Sequence, residues 1–161
     1  MGDPVARTQT TDAHIARAEV RRAEIQAHAN AIGIDEAFIS KLVDAFYVRV
    51  LAQPLIGPIF DAAIGDNWDR HLDRMKAFWA SVALNAGLYS GKPVPVHQKL
   101  IEVQPWHFKI WLALFRQTLE ELAPTPAAVD YMMVRAGRIA ESLQLAMFGF
   151  PGLPAKRPAP E

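Results

Sequence analysis

The chain has no cysteine. That excludes disulfides, thiolate nucleophiles, iron–sulfur clusters, zinc–thiolate sites and any thioether link to a prosthetic group. Neither charge is in excess: 17 Lys and Arg balance 17 Asp and Glu. No basic footprint for nucleic acid follows, and no polybasic membrane patch. No run of 18 consecutive apolar residues occurs, so no transmembrane helix is expected. Met1 to Thr10 contains no apolar segment resembling a secretory leader, and a cytoplasmic location is the expectation. Period-two alternation and internal repeats are missing as well. What the 161 residues do offer is length for one domain with a real core, and apolar residues at helical spacing.

Residues from about 12 to 32 read as a polar, Ala-rich helix with a thin stripe of Ile15, Ala18, Ile25, Ala29 and Ile32, opened by Thr11-Asp12 and closed by Gly33. Asp35 is the N-cap of a second helix, with Phe38, Leu42, Phe46 and Tyr47 on its apolar side, ended near Ala52 by Pro54. Leu55 to Phe60 is apolar but broken by Gly57-Pro58, which predicts a buried turn. Asp66 is expected to begin the next helix and Gly87 to end it. From Pro105, the positions Phe108, Trp111, Leu112, Phe115, Leu119 and Leu122 follow one face of a 3.6-residue period. Thr125-Pro126 has the cap and first-turn signature of a last helix, carrying Val129, Met132, Met133, Ala136, Ala140, Leu143 and Met147 and closed at Gly149. The expected organisation is an N-terminal extension with a helix (1–34), an all-α domain (35–149) and a disordered Pro/Ala/Lys tail (150–161).

The residues that carry chemistry are histidines and aromatics. His71 and His97 stand 26 residues apart in different contexts. His71 shares a helix face with Met75, Phe78 and Val82. His97 follows Pro93-Val94-Pro95-Val96, a stiff, extended segment that suits a ligand whose ring angle matters. A haem iron needs one imidazole fixed on one face and a ligand pocket with apolar walls on the other, and these two histidines offer that arrangement. The plainer alternatives are a packing histidine at 97 and a core-edge histidine bonded to a carbonyl at 71. Pairing His71 with Met75 on a single metal ion needs further soft ligands that the pattern does not supply. Tyr47 directs its hydroxyl into an apolar region and Trp111 lies in mid-stripe. Both groups either find backbone carbonyls or act as two donors toward one bound diatomic ligand. His107 lies at the flank of its stripe and is assigned a structural or cofactor-edge role, and His14 and His28 are expected to be solvated.

Taken in order, Phe46-Tyr47, Leu55 to Phe60, Trp68-Asp69-Arg70-His71, Phe78-Trp79, Tyr89 to Pro93, His97 and Phe108 to Phe115 resemble the truncated haemoglobins of the third, bacterial group. The resemblance runs over roughly residues 36 to 148. It implies a two-over-two globin fold with an extra N-terminal helix, and a haem b cofactor. It also implies His97 as the proximal iron ligand, His71 on the distal side, and Tyr47 and Trp111 as distal donors. Phe60 would pack on the haem plane and Arg74 would meet a propionate, with Phe78 and Phe108 among the apolar walls. Met75 stands where an aliphatic residue is usual, and its flexibility bears on access to the pocket. The glycine-rich motifs of other truncated-globin groups are absent, as expected for the third.

These readings predict a globin that binds dioxygen, or nitric oxide or carbon monoxide, at a His-ligated iron. A redox enzyme, dioxygenating nitric oxide or reducing peroxide, would use the same donors and would require an external reductase, since none is fused here. A haem-free helical interaction module, its aromatics serving only as core, is the third class.

Overall fold

The computed structural model describes residues 4–85, 97 and 102–149. Among them lie six α-helices: α1 (Pro4–Ala31), α2 (Glu36–Ala52), α3 (Gly57–Ile64), α4 (Trp68–Leu84), α5 (Pro105–Leu122) and α6 (Pro126–Phe148). The Pro93 to Val96 segment and the 150–161 tail, both assigned from sequence, lie outside the described residues. No single helix among the described residues is long and apolar enough to cross a membrane.

α1 begins eight residues before its expected start. Proline is tolerated in a first turn because the N–H it lacks would be unpaired there, and alanines and arginines carry the helix through the threonines. Residues 8–24 are exposed. Only the last turns dock, with Ala29 fully buried and α1 lying against α4. The turn after α1 is tight. Gly33 has φ +94, and a Cβ there would come within 2.2 Å of Pro124 Cγ. Thr125 Oγ1 donates to the Ile32 carbonyl at 2.6 Å, clamping this turn to the α5–α6 linker.

The expected caps of α2 and α6 form. Asp35 Oδ1 accepts from Phe38 N–H at 2.8 Å, and Thr125 Oγ1 accepts from Ala128 N–H at 3.1 Å. Each satisfies an amide that has no partner within its helix. The corner after α2 is more than the expected buried turn. Ile56 and Gly57 are buried while Leu55 and Pro58 face out, and Gly57 opens α3. A Cβ at Gly57 would meet the Leu51 carbonyl oxygen at 2.6 Å, so only glycine permits this approach. α4 begins at Trp68 rather than Asp66, because Gly65, with φ +61, still turns the chain. It ends at Asn85, which adopts the left-handed conformation.

α2 packs on both α4 and α5, and α5 packs on α6. Their shared core includes Leu42, Phe46, Val50, Trp79, Phe115, Leu119, Met132 and Ala136. Each large side chain so buried contributes on the order of 1.5–3 kcal/mol of transfer free energy. A second cluster, Val103, Phe108, Ala140, Leu143 and Met147, fills the far end of the α5–α6 pair, and Trp111 and Leu112 touch both clusters. Leu122, expected on the buried stripe of α5, is exposed where that helix runs past the core. Arg49 fastens α2 to α5. One guanidinium nitrogen donates to Thr118 Oγ1 at 3.0 Å, and another pairs with Glu121.

Candidate functional site

The apolar face of α2 and the first turns of α4 bring Tyr47 and His71 together. Their rings meet edge to face, with centroids 5.1 Å apart and planes at 89°. Phe60, delivered by α3, stands 6.0 Å from Tyr47 at 71°. Trp68, one turn before His71, stands 5.8 Å from the imidazole and 5.9 Å from the phenol. Edge-to-face contacts of this kind are favourable because the electropositive rim of one ring meets the electronegative face of the other.

One polar atom in this aromatic group is buried and unmatched. His71 Nε2 is buried and has no hydrogen-bond partner. Tyr47 is buried, and its hydroxyl makes no hydrogen bond to any described residue. Burying a donor without a partner costs about 1–3 kcal/mol, so such groups mark places where a ligand can repay the cost. Burial pushes the Tyr47 phenol well above its ordinary pKa, so it stays a protonated donor throughout the physiological range. His71 is shifted the other way. Burial lowers its pKa, and the nearby charges of Arg74 and His97 lower it further, which favours the neutral imidazole at pH 7.

His97 is half-buried, in helical backbone, and near enough for its charge to reach His71. Arg74 is exposed one turn beyond Arg70, and its charge also reaches His71. Met75 and Phe78 are half-buried against the main core. Trp111 shares no ring contact with Tyr47 or His71. Phe46 links them, 5.3 Å from Tyr47 and 5.6 Å from Trp111. On its other side Trp111 stacks on Phe115 at 5.7 Å and Trp79 at 6.4 Å. Phe108 belongs to the second cluster, 6.4 Å from Phe148.

Sequence reasoning passed over Trp68 and Phe46 as site residues. The signal for Trp68 was its place three residues before His71, which puts both on one helix face. Phe46 read only as core, which it is, and its bridging position depends on how α2 lies on α5. His107 has the structural role assigned to it: Nδ1 accepts from the Gln104 N–H at 2.7 Å, and the ring stacks on Trp106 at 3.8 Å. His14 and His28 are exposed as expected, although His28 also rests against Tyr131 at 5.8 Å.

No family model matches the chain. The group 3 truncated haemoglobin of Campylobacter jejuni is 32% identical over 122 residues, which cover 74% of this chain and 95% of that protein. The crystal structure of the group III truncated haemoglobin from Campylobacter jejuni matches this fold with a TM-score of 0.69 at 32% identity. That match covers 74% of this chain and 96% of the other.

Proposed function

The chain belongs to the group 3 truncated haemoglobins, and from that premise we propose that it holds haem b and binds a diatomic gas, dioxygen above all. The observation that carries this reading is the unpartnered, buried Nε2 of His71 in ring contact with the buried Tyr47. The residues present fit a haem. Such a group needs a flat apolar slot and a nitrogen ligand. Phe60, Met75, Phe78 and Trp111 would supply apolar walls, with Phe108 of the second cluster adjoining them at Trp111. His71 and His97 lie close enough to sense each other's charge.

Bound haem would supply the iron that takes the gas, and an imidazole ligand in place of a thiolate would favour reversible gas binding over oxygen cleavage. In this reading His97 would be the protein's ligand to the iron. The Tyr47 hydroxyl would donate to the negative end of a polarised gas molecule, and the Trp111 Nε1–H would be a second donor. Each such bond contributes about 1–3 kcal/mol, equivalent to roughly ten- to a hundred-fold in the rate of release. His71, kept neutral, guards the opening and offers Nε2 to a ligand or a water. The exposed Arg74 guanidinium would pair with a haem carboxylate. With no cysteine in the chain, a thioether link to the haem is excluded.

Absorption spectra of the purified chain in the ferric, ferrous and carbonyl-bound forms test this. One haem b per chain, with a Soret band that shifts on carbonyl binding, is the expected result. A colourless protein that takes up no added haemin would overturn the reading and leave a helical module whose aromatics serve only as core.

A further inference from the structure

Tyr47, Trp68 and His71 form a closed triangle of rings. The centroid distances are 5.1, 5.8 and 5.9 Å, and the three interplanar angles are 89°, 81° and 67°. Two of the three have a part in gas binding as proposed above. Trp68 has none, yet it forms two sides of the triangle.

Its second attachment lies across the α3–α4 corner. Trp68 Nε1 donates to Asp61 Oδ1 at 3.3 Å. The Asp61 backbone is itself committed to this corner, since its carbonyl accepts from Gly65 N–H at 2.9 Å. Trp68 is therefore joined to His71 by ring contact and to α3 by a hydrogen bond.

The two rings that flank His71 differ in freedom. Tyr47 is buried on α2 and is surrounded by Phe46, Phe60 and Trp68 as well as His71. Trp68 is half-buried in the first turn of α4. For the His71 imidazole to swing aside, it must leave both neighbours, and Trp68 is the one able to yield. Its bond to Asp61 limits how readily it does so.

We propose that Trp68, anchored by Asp61, is a positioning residue for His71. It holds the imidazole against Tyr47 and so sets how often the site opens to an incoming gas. The gas-binding half of this inference rests on the haem-globin reading, whereas the placement of the rings does not.

The test uses the full chain as purified, with Trp68→Phe, Asp61→Ala and Asp61→Asn, and has two arms. In the first, carbon monoxide association is measured after flash photolysis. Asp61→Ala and Trp68→Phe are expected to speed association by about two- to ten-fold, the range for loss of one modest hydrogen bond. Asp61→Asn, which retains an acceptor, should restore the parent rate. In a His71→Leu background, Asp61→Ala should change nothing further, because its effect passes through the imidazole. The second arm needs no haem: NMR of the Trp68 indole N–H, identified by its loss in Trp68→Phe, and of the His71 ring protons. Asp61→Ala should speed exchange of the indole proton with water and broaden the His71 signals, and Asp61→Asn should reverse both. Unchanged His71 signals in Asp61→Ala would overturn the proposal, as would an equal rate increase in the His71→Leu background. A chain that binds no haem would overturn the haem-globin reading, and the NMR arm would then decide the role of Trp68 alone.

Discussion

Removing the Tyr47 hydroxyl separates function from stability in a way few buried substitutions do. Tyr47→Phe keeps the ring, and with it the contacts to Phe46, Phe60, Trp68 and His71. The deleted oxygen has no hydrogen-bond partner among the described residues, so the ligand-free fold loses no bond. The urea-unfolding free energy should stay within about 0.5 kcal/mol of the parent, because the substitution keeps the buried ring and breaks no hydrogen bond among the described residues. Gas release should behave differently. A donor to dioxygen worth about 1–3 kcal/mol implies release roughly ten- to a hundred-fold faster. Carbon monoxide draws little negative charge when bound, so its release should change by about three-fold or less. Stopped-flow displacement of each gas measures both rates. Trp111→Phe should also favour dioxygen loss, but at a cost of about 1 kcal/mol in stability, because the smaller ring gives up part of the stack with Trp79 and Phe115. The double variant should release dioxygen less quickly than the product of the single effects, since both donors share one acceptor. Equal acceleration for the two gases would mean that Tyr47→Phe acts by shape. Unchanged dioxygen release would make Tyr47 a packing residue.

His97→Ala should lose haem on gel filtration, whereas His107→Ala should retain it with an unaltered spectrum and lose about 1 kcal/mol from the broken bond to the Gln104 amide. The reverse pattern would exchange their roles. Burial, then the charges of Arg74 and His97, hold the pKa of His71 below its ordinary value. The unfolded chain therefore gains the proton first as pH falls. The stability that His71 contributes is full above about pH 6.5 and is lost as pH drops below that toward the folded-state pKa. His71→Leu should flatten the urea midpoint between about pH 7 and pH 5, and a profile as steep as the parent's would assign the loss to other groups. Gly33→Ala should destabilise by about 1–3 kcal/mol by thermal unfolding, because it combines a left-handed backbone with a clash on Pro124. An unchanged midpoint would show that the α5–α6 linker gives way.

Much of the fold was legible in the sequence because it rests on local physics. The Asp35 and Thr125 caps, the stripe from Phe108 to Leu119 and the closing Gly149 each depend on neighbours within a turn or two. Helix boundaries were less secure. Pro4 and the alanines carried α1 past its apparent start, and Gly65 delayed α4 beyond Asp66. The ordered motifs from Phe46-Tyr47 to Phe115 were enough to point to the family, and the identity of 32% over 122 residues agrees with them.

The two histidines, together with the aromatic and aliphatic residues around them, indicated from sequence that His71 and His97 could face one cofactor. The sequence also excluded a thioether link to any prosthetic group. What it could not determine is which side chains touch across helices. The contact of Tyr47 on α2 with His71 on α4, the link from Phe46 to Trp111, and the separation of Phe108 into a second cluster depend on how four helices cross. Crossing is set by the packing of whole faces rather than by any local pattern. The bond from Trp68 to Asp61 likewise exists only because Gly65 turns α4 back on α3. Local propensity and composition wrote the helices and named the chemistry, and tertiary packing alone decided that a buried imidazole nitrogen would be left without a partner beside the ring of Tyr47.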